Sequence, residues 1–326
     1  MEEPIQRGVI TMKKNLNYQV KSAVAMVVFN RFDTAKKVFE QVRKVKPKKL
    51  FIIADGPRKN VKGEAEKCDK VRKIFDNIDW ECEVYKNFSE ENLGCSKRPY
   101  TGFTWVFEHV EEAIILEDDC LPNISFFKYC DELLEKYRYD SRIMLISGTN
   151  QLGKWQRDDY SYHFSNFGGI WGWASWRRAW NYFDIDIKLW NNKTVKEMLK
   201  FKLTKNQYLT RKHVYDFLCN NSENTSAWDF QWGFARIIQS GVAISPSKNL
   251  ITNIGHGEDA THTTSASSPV AGLEQYELEF PLKHPEFVII DEEYDKKMYK
   301  KLNGGYISFL KTLLKGLLEK LKCKKK

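Results

Sequence analysis

Three carboxylates in a row, Glu117, Asp118 and Asp119, follow the apolar run Ala113, Ile114, Ile115 and Leu116. Neighbouring like charges raise the cost of ionising one another, so a chain that keeps them together needs a compensating positive charge. A hard divalent cation is one answer. Such an ion takes oxygen ligands, commonly one or two carboxylates together with substrate phosphates. The plainer answer is a solvated acidic turn, with one aspartate capping the helix beyond Pro122. Three earlier strand ends also carry charged residues suited to a nucleotide. Arg31 in "FNRFD" and Arg98 in "SKRPY" offer guanidinium forks suited to phosphate. Asp55 in "ADGPR" can accept hydrogen bonds from a base or a ribose. Taken one at a time, each reads better as a helix cap or a surface charge. Their recurrence after successive apolar runs gives them weight.

The elements that must position these residues are legible in outline. "AVAMVVF" (23–29), "KLFIIA" (49–54), "CEVYK" (82–86), "AIIL" (113–116) and "IMLIS" (143–147) read as strands. Between them lie helical patterns near 33–42, 61–76, 100–110 and 124–138, the first capped by Asp33 or Thr34. This alternation predicts an α/β fold with a largely parallel central sheet flanked by helices. In such a sheet ligands bind beyond the carboxyl ends of the strands, where 117–119 would stand. From about residue 150 the pattern changes, and six of the ten tryptophans fall between 155 and 190. No Pro-, Ser- or Gly-rich hinge separates the halves. The expected division is an extension over 1–21, an α/β half over 22–150, a second half of the same unit over 151–303, and a C-terminal segment over 304–326. Residues 256–272 read as a polar, mobile loop.

Composition narrows the classes. With 326 residues, 42% hydrophobic and 14% aromatic, the chain can bury a sizeable core. Of the net charge of +9, +6 lies in residues 304–326, so the body is only mildly basic and no nucleic-acid partner is demanded. Seven cysteines, an odd number without CxxC or Cys/His ligand spacing, predict free thiols in a reducing compartment. The N-terminal stretch has no continuous apolar core, which predicts no signal peptide, and no run approaches the ~20 apolar residues of a spanning helix.

On "VVFNRFDTAKKVFEQV", "LFIIADG" and "AIILEDDCLPNISFFKYCDELLEKYRYDSRIMLISGTN", the chain resembles GT-A fold glycosyltransferases. The likeness is to the inverting N-acetylglucosaminyltransferase I type and bacterial sugar transferases that share its core. It covers about residues 22–265. The resemblance implies a nucleotide-diphosphate sugar donor, a UDP-sugar by preference, and Mn2+ or Mg2+ held at a DxD-type motif. It makes Asp119 the metal ligand. It sets Glu117 and Asp118 against ribose, donor sugar or metal-bound water, and Arg31 and Asp55 against phosphate and uracil. "FGGIWGWASWRRAW" (167–180) and "AWDFQWGFARIIQSG" (227–241) resemble the family's aromatic and tryptophan–aspartate segments. Trp171, Trp173 and Trp228 would then shape the sugar and acceptor pocket, although most such tryptophans also suit a core. Asp229 would be the catalytic base. The family has two adjacent acids at that place and this chain has one. "ITNIGHGEDATHT" (251–263) resembles the loop that orders over the donor, with Gly255, Gly257, Thr261 and His262 near the diphosphate.

These readings together imply a metal-dependent inverting glycosyltransferase acting on a glycan or lipid-linked glycan in bacterial surface polysaccharide synthesis. A nucleotidyltransferase on a similar sheet is an alternative, but that class wants a Gly-rich loop with a lysine after the first strand, and "FNRFD" has no glycine. A membrane-surface adaptor with a degenerate nucleotide site is a third reading. Residues 304–326 form a basic amphipathic pattern, with apolar residues at 306, 307, 310, 313, 314, 317, 318 and 321. Such a helix suits an anionic membrane surface, where each nearby lysine adds about 1 kcal/mol, and predicts a cytoplasmic protein peripheral to the inner face. Deleting 304–326 is expected to release the protein from anionic vesicles in a sedimentation assay; unchanged pelleting would leave a helix packed on the body.

Overall fold

Period-two alternation within the apolar runs sends successive residues to opposite faces of a sheet. The computed structural model describes residues 18–220, 228–255 and 272–303. In chain order the first half runs β1 (Ala23–Val28), α1 (Phe32–Val45), β2 (Lys49–Ala54), α2 (Glu64–Arg72), β3 (Glu83–Phe88), α3 (Gly94–His109), β4 (Glu112–Glu117), β5 (Cys120–Pro122), α4 (Ile124–Lys136) and β6 (Ile143–Ser147). The second half adds β7 (Tyr162–Ser165), β8 (Trp173–Trp176), α5 (Arg177–Trp180), α6 (Lys193–Lys202), α7 (Lys205–Asn220), α8 (Asp229–Ile238), β9 (Val242–Pro246), β10 (Ile251–Asn253) and α9 (Glu292–Asn303).

Eight strands make one central sheet in the order β3-β2-β1-β4-β8-β6-β9-β7, and β5 pairs β10 in a small second sheet. Strands β3, β2, β1 and β4 are parallel neighbours, and β9 is parallel to β6. Strands β8 and β7 run against their neighbours. The protein is therefore α/β with a large, mostly parallel sheet flanked by helices. Strands from both halves of the sequence share this sheet, because β8 is inserted between β4 and β6.

The alternation sorts the core into two layers. Val24, Met26, Ile52, Ile114 and Leu116 meet α1 and α4 on one face. Ala25, Phe51, Ile53, Ala113 and Ile115 meet α3 and the tryptophans of the second half on the other. Strand β4 is thus buried on both sides, which explains why its sequence is continuously apolar up to Glu117. Helix α1 docks through Ala35, Val38, Phe39, Val42 and Val45.

Several boundaries differ from the sequence reading. Arg31, not Asp33 or Thr34, occupies the N-cap position of α1; Thr34 Oγ1 donates back to the Arg31 carbonyl at 3.2 Å. Helix α3 begins at Gly94 and takes Pro99 inside it. The body begins before residue 22: Val20 is buried, and its N–H bonds the Val45 carbonyl at 2.9 Å. The expected loop and C-terminal helix fall almost wholly on 256–271 and 304–326, outside the described residues. Among the described residues no helix is long and apolar enough to cross a membrane.

Two tryptophans expected in a sugar pocket are core residues. Trp173 and Trp228 are buried beside Phe103, Trp180 and Trp232, with ring centroids of Trp173 and Trp228 5.5 Å apart. Rings buried this completely present no open face to a sugar. Trp173→Ala is expected to lower the urea unfolding free energy by about 3–5 kcal/mol; a loss below about 1 kcal/mol would show that the ring is not packed as described.

Candidate active site

The acid triplet stands where β4 leaves the sheet. Asp118 is buried, while Glu117 and Asp119 are half-buried. The positive charge that the triplet requires is supplied in part by the protein. Arg31 Nη2 pairs with Asp118 and, at 3.0 Å, with Asp119 Oδ2. Burial works against the guanidinium, but Asp118 and Asp119 more than offset it and hold its pKa above the ordinary value. The Phe29 N–H also points at Asp118 Oδ2, at 3.4 Å. Burial, then Asp119, Asp118 and Asp229, push the Glu117 carboxyl up to about 8. Burial likewise raises Asp118, to about 6, against the pull of Arg31.

The small sheet holds this cluster from the other side. Because β5 pairs β10, the Ile254 N–H reaches the Asp119 carbonyl at 2.8 Å and Gly255 lies over the site. A Cβ on Gly255 would collide with the Asp119 carboxylate and would lie 2.7 Å from Arg31 Nη1. Glycine is required there by the close approach itself. Glu117, Asp119 and Cys120 bring potential ligand atoms within 4.8 Å of one another. Burial first, then the adjacent carboxylates, keep the Cys120 thiol protonated well above its usual range, and Sγ donates to Asp119 Oδ1 at 3.3 Å. The available donors are therefore carboxylate oxygens, the set a hard divalent cation takes.

Asp55 and Arg98 do not join this cluster through a side-chain bond. Asp55 accepts from Gly56 N, Leu93 N and Gly94 N, each at 2.9 Å, and from Asn92 Nδ2 at 3.1 Å. Two donors on each oxygen occupy the roughly four acceptor positions of a carboxylate. The residue anchors the start of α3, with both of its carboxylate oxygens engaged. Arg98 is buried and bonds the Asn87 carbonyl and, at 2.9 Å, Asn87 Oδ1. Burial lowers its pKa. It ties α3 to the end of β3 instead of standing open to a phosphate.

A cavity of 240 Å³ lies on the same edge of the sheet. Thr149 and Gln151 follow the carboxyl end of β6, and the segment from Gly168 to Trp171 precedes β8, which runs the opposite way and so starts at that edge. Thr149 Oγ1 donates to the Trp171 carbonyl at 2.8 Å, which fixes the cavity wall. Gly172, at φ +60°, makes the turn into β8 against Ile251. Helix α8 closes the cavity with Asp229, Trp232 and Arg236. Their spacing of three and four residues puts them on one helix face. Asp229 is the first residue of α8 and lies within electrostatic reach of Glu117.

The structure thus gathers Arg31, Glu117, Asp118, Asp119 and Gly255 in one cluster, and Trp171 with Asp229 in the adjoining cavity. Gly257, Thr261 and His262 fall outside the described residues. Two features escaped the sequence reading. Arg58 and Glu64 form an ion pair near the ends of β1 and β2, with Asn30 Nδ2 donating to Glu64 at 3.0 Å. Arg236 sits on the cavity face of α8, and a lone arginine in the run "FARII" was the available signal.

No protein-family model and no curated protein matches this chain. Among solved structures it is similar to UDP-glucose pyrophosphorylase complexed with UDP-glucose, at 10% identity and a TM-score of 0.25. That match spans 44% of this chain and 62% of the other, less than two thirds of its length. A likeness this slight carries neither activity nor ligand across.

The raised carboxyls set a pH dependence. Folded Glu117 keeps its proton to about 8, against an ordinary value of 4.5. Between those values the folded chain binds more protons than the unfolded one, so stability falls as pH rises. In EDTA the thermal midpoint should drop from pH 5 to pH 8, and Glu117→Gln should flatten that drop. An equal drop in both proteins would locate the effect at other groups.

Proposed function

We propose that this chain is a metal-dependent inverting glycosyltransferase. It would move a sugar from a nucleotide-diphosphate donor, a UDP-sugar by the likeness of its motifs, to a hydroxyl of a glycan or lipid-linked glycan. One observation carries the reading. The acid triplet and Asp229 stand at the same carboxyl edge of the sheet, with their charges interacting and a sugar-sized cavity beside them.

Asp119 and Glu117 would hold Mn2+ or Mg2+. When bound, the cation supplies positive charge that stabilises the departing diphosphate. Arg31, already bonded to both aspartates, keeps a guanidinium at that place and can shift its fork towards phosphate oxygens. Gly255, packed against Asp119 and Arg31, keeps the β10 end close over that cluster. Trp171, half-buried in the cavity wall, offers its ring to a sugar face. Asp229 accepts the proton of the acceptor hydroxyl. The hydroxyl oxygen attacks the anomeric carbon from the face opposite the diphosphate, the bond to the diphosphate oxygen breaks, and the configuration inverts. A base acts only within hydrogen-bond reach of that hydroxyl, so the acceptor must enter through the cavity.

The test is turnover of a panel of nucleotide sugars with Mn2+, Mg2+ or EDTA. Metal-dependent release of nucleotide from one donor is expected, lost in Asp119→Ala. Asp229→Asn should lower kcat by about 10²–10⁴ while donor affinity stays within a few-fold. Wild-type turnover in Asp229→Asn would remove that residue as base. Release of pyrophosphate from a nucleoside triphosphate and a sugar 1-phosphate would replace the reading with nucleotidyl transfer.

A further inference from the structure

The cavity beside Asp229 holds a charge that the proposed reaction does not use. Arg236 is 5% exposed and lines the cavity from α8. Its Nε has no hydrogen-bond partner among the described residues. Nη1 makes one long bond, 3.5 Å, to the Phe167 carbonyl. Among the described residues no carboxylate lies within ion-pair distance of it. The carboxylate whose charge acts on it is Asp295, after Tyr215, and the Asp295 oxygens are taken by Ser165 Oγ, Asn166 N and Asn166 Nδ2. The other cation nearby, Arg211, opposes Arg236; it lies over the Phe167 ring and bonds Tyr215. Trp232, on the same cavity face, carries a buried Nε1–H that also lacks an acceptor among the described residues. Buried charges are ordinarily paired, and this one is set where a ligand can pair it.

Resting on the glycosyltransferase reading, we propose that the acceptor is acidic and that Arg236 binds its oxyanion, a carboxylate or a phosphate carried on the glycan. Arginine offers a planar fork that matches either group. Asp229 and Arg236 are seven residues apart, about 10 Å along α8 at 1.5 Å per residue. The anion therefore belongs on the acceptor some distance from the attacked hydroxyl, not on the reacting atoms. Such a subsite would select charged over neutral acceptors and fix which hydroxyl meets Asp229.

Ligand-observed NMR titration separates the cases without requiring turnover. The probes are methyl β-D-glucuronide, glucose 6-phosphate and neutral methyl β-D-glucoside, added to the full chain with and without UDP and Mn2+. At least one acidic probe should bind wild type ten-fold or more tightly than the neutral one, and Arg236→Gln should abolish the difference. The carboxylate and phosphate probes tell the two sources apart. The thermal midpoint of Arg236→Gln should hold or rise, because the change removes an uncompensated buried charge. A marked fall would mean that Arg236 is a structural cation, and would overturn the proposal, as would equal binding of neutral and acidic probes. Retained discrimination in Arg236→Gln would overturn it too. UDP binding is read in the same samples. Its absence, with Arg236-dependent anion binding intact, would defeat the donor reading and leave the anion subsite standing.

Discussion

Like-charge repulsion at the end of β4 is the constraint around which this edge of the protein is built. Three consecutive carboxylates cannot all ionise in a partly buried place without a counter-charge, and among the described residues Arg31 provides it. Its guanidinium binds two of the three acids. Arg31 stands at the N-cap of α1 but, as a donor only, gives that helix no side-chain cap. The same pairing explains Gly255, since the tight arrangement of Arg31 and Asp119 leaves no volume for a side chain above it. Glu117 remains outside the pairing, and burial first, then the neighbouring acids, raise its pKa.

The sheet topology brings the second half of the chain to this cluster. Strand β8 runs antiparallel between β4 and β6, so the segment before it returns to the carboxyl edge where β4 ends. The same reversal buries Trp173 and lets Trp171, two residues earlier, remain at the cavity wall. Trp228, just before α8, and Trp232 within it then pack into the core, while Asp229, the first residue of the helix, lines the cavity. Acid triplet, cavity and Asp229 are consequences of one strand direction.

Much of the fold was legible because its strands are buried on both faces. Such strands are written as unbroken apolar runs, and "AVAMVV", "KLFIIA" and "IMLIS" fell where the pattern put them. Strands β5, β8 and β10 were not legible. They are short, and their pairing partners are distant in sequence, so no local period marks them. The partners that Asp55 and Arg98 bond were not legible for a related reason. A carboxylate at a strand end is equally suited to a base or to three backbone N–H groups, and only the path of residues 92–94 decides between them.

The sequence by itself determined the layer order of the first half, the buried character of β4 and the presence of a charge problem at 117–119. These follow from local composition and spacing, which act over a few residues. The tertiary structure alone decided which groups answer that charge and which tryptophans are free to meet a ligand. It also decided that Arg236 is left without an acid among the described residues. Those outcomes depend on which distant segments the sheet brings within 3–4 Å of one another, because hydrogen bonds and ion pairs act only at that range. No pattern along the chain encodes it.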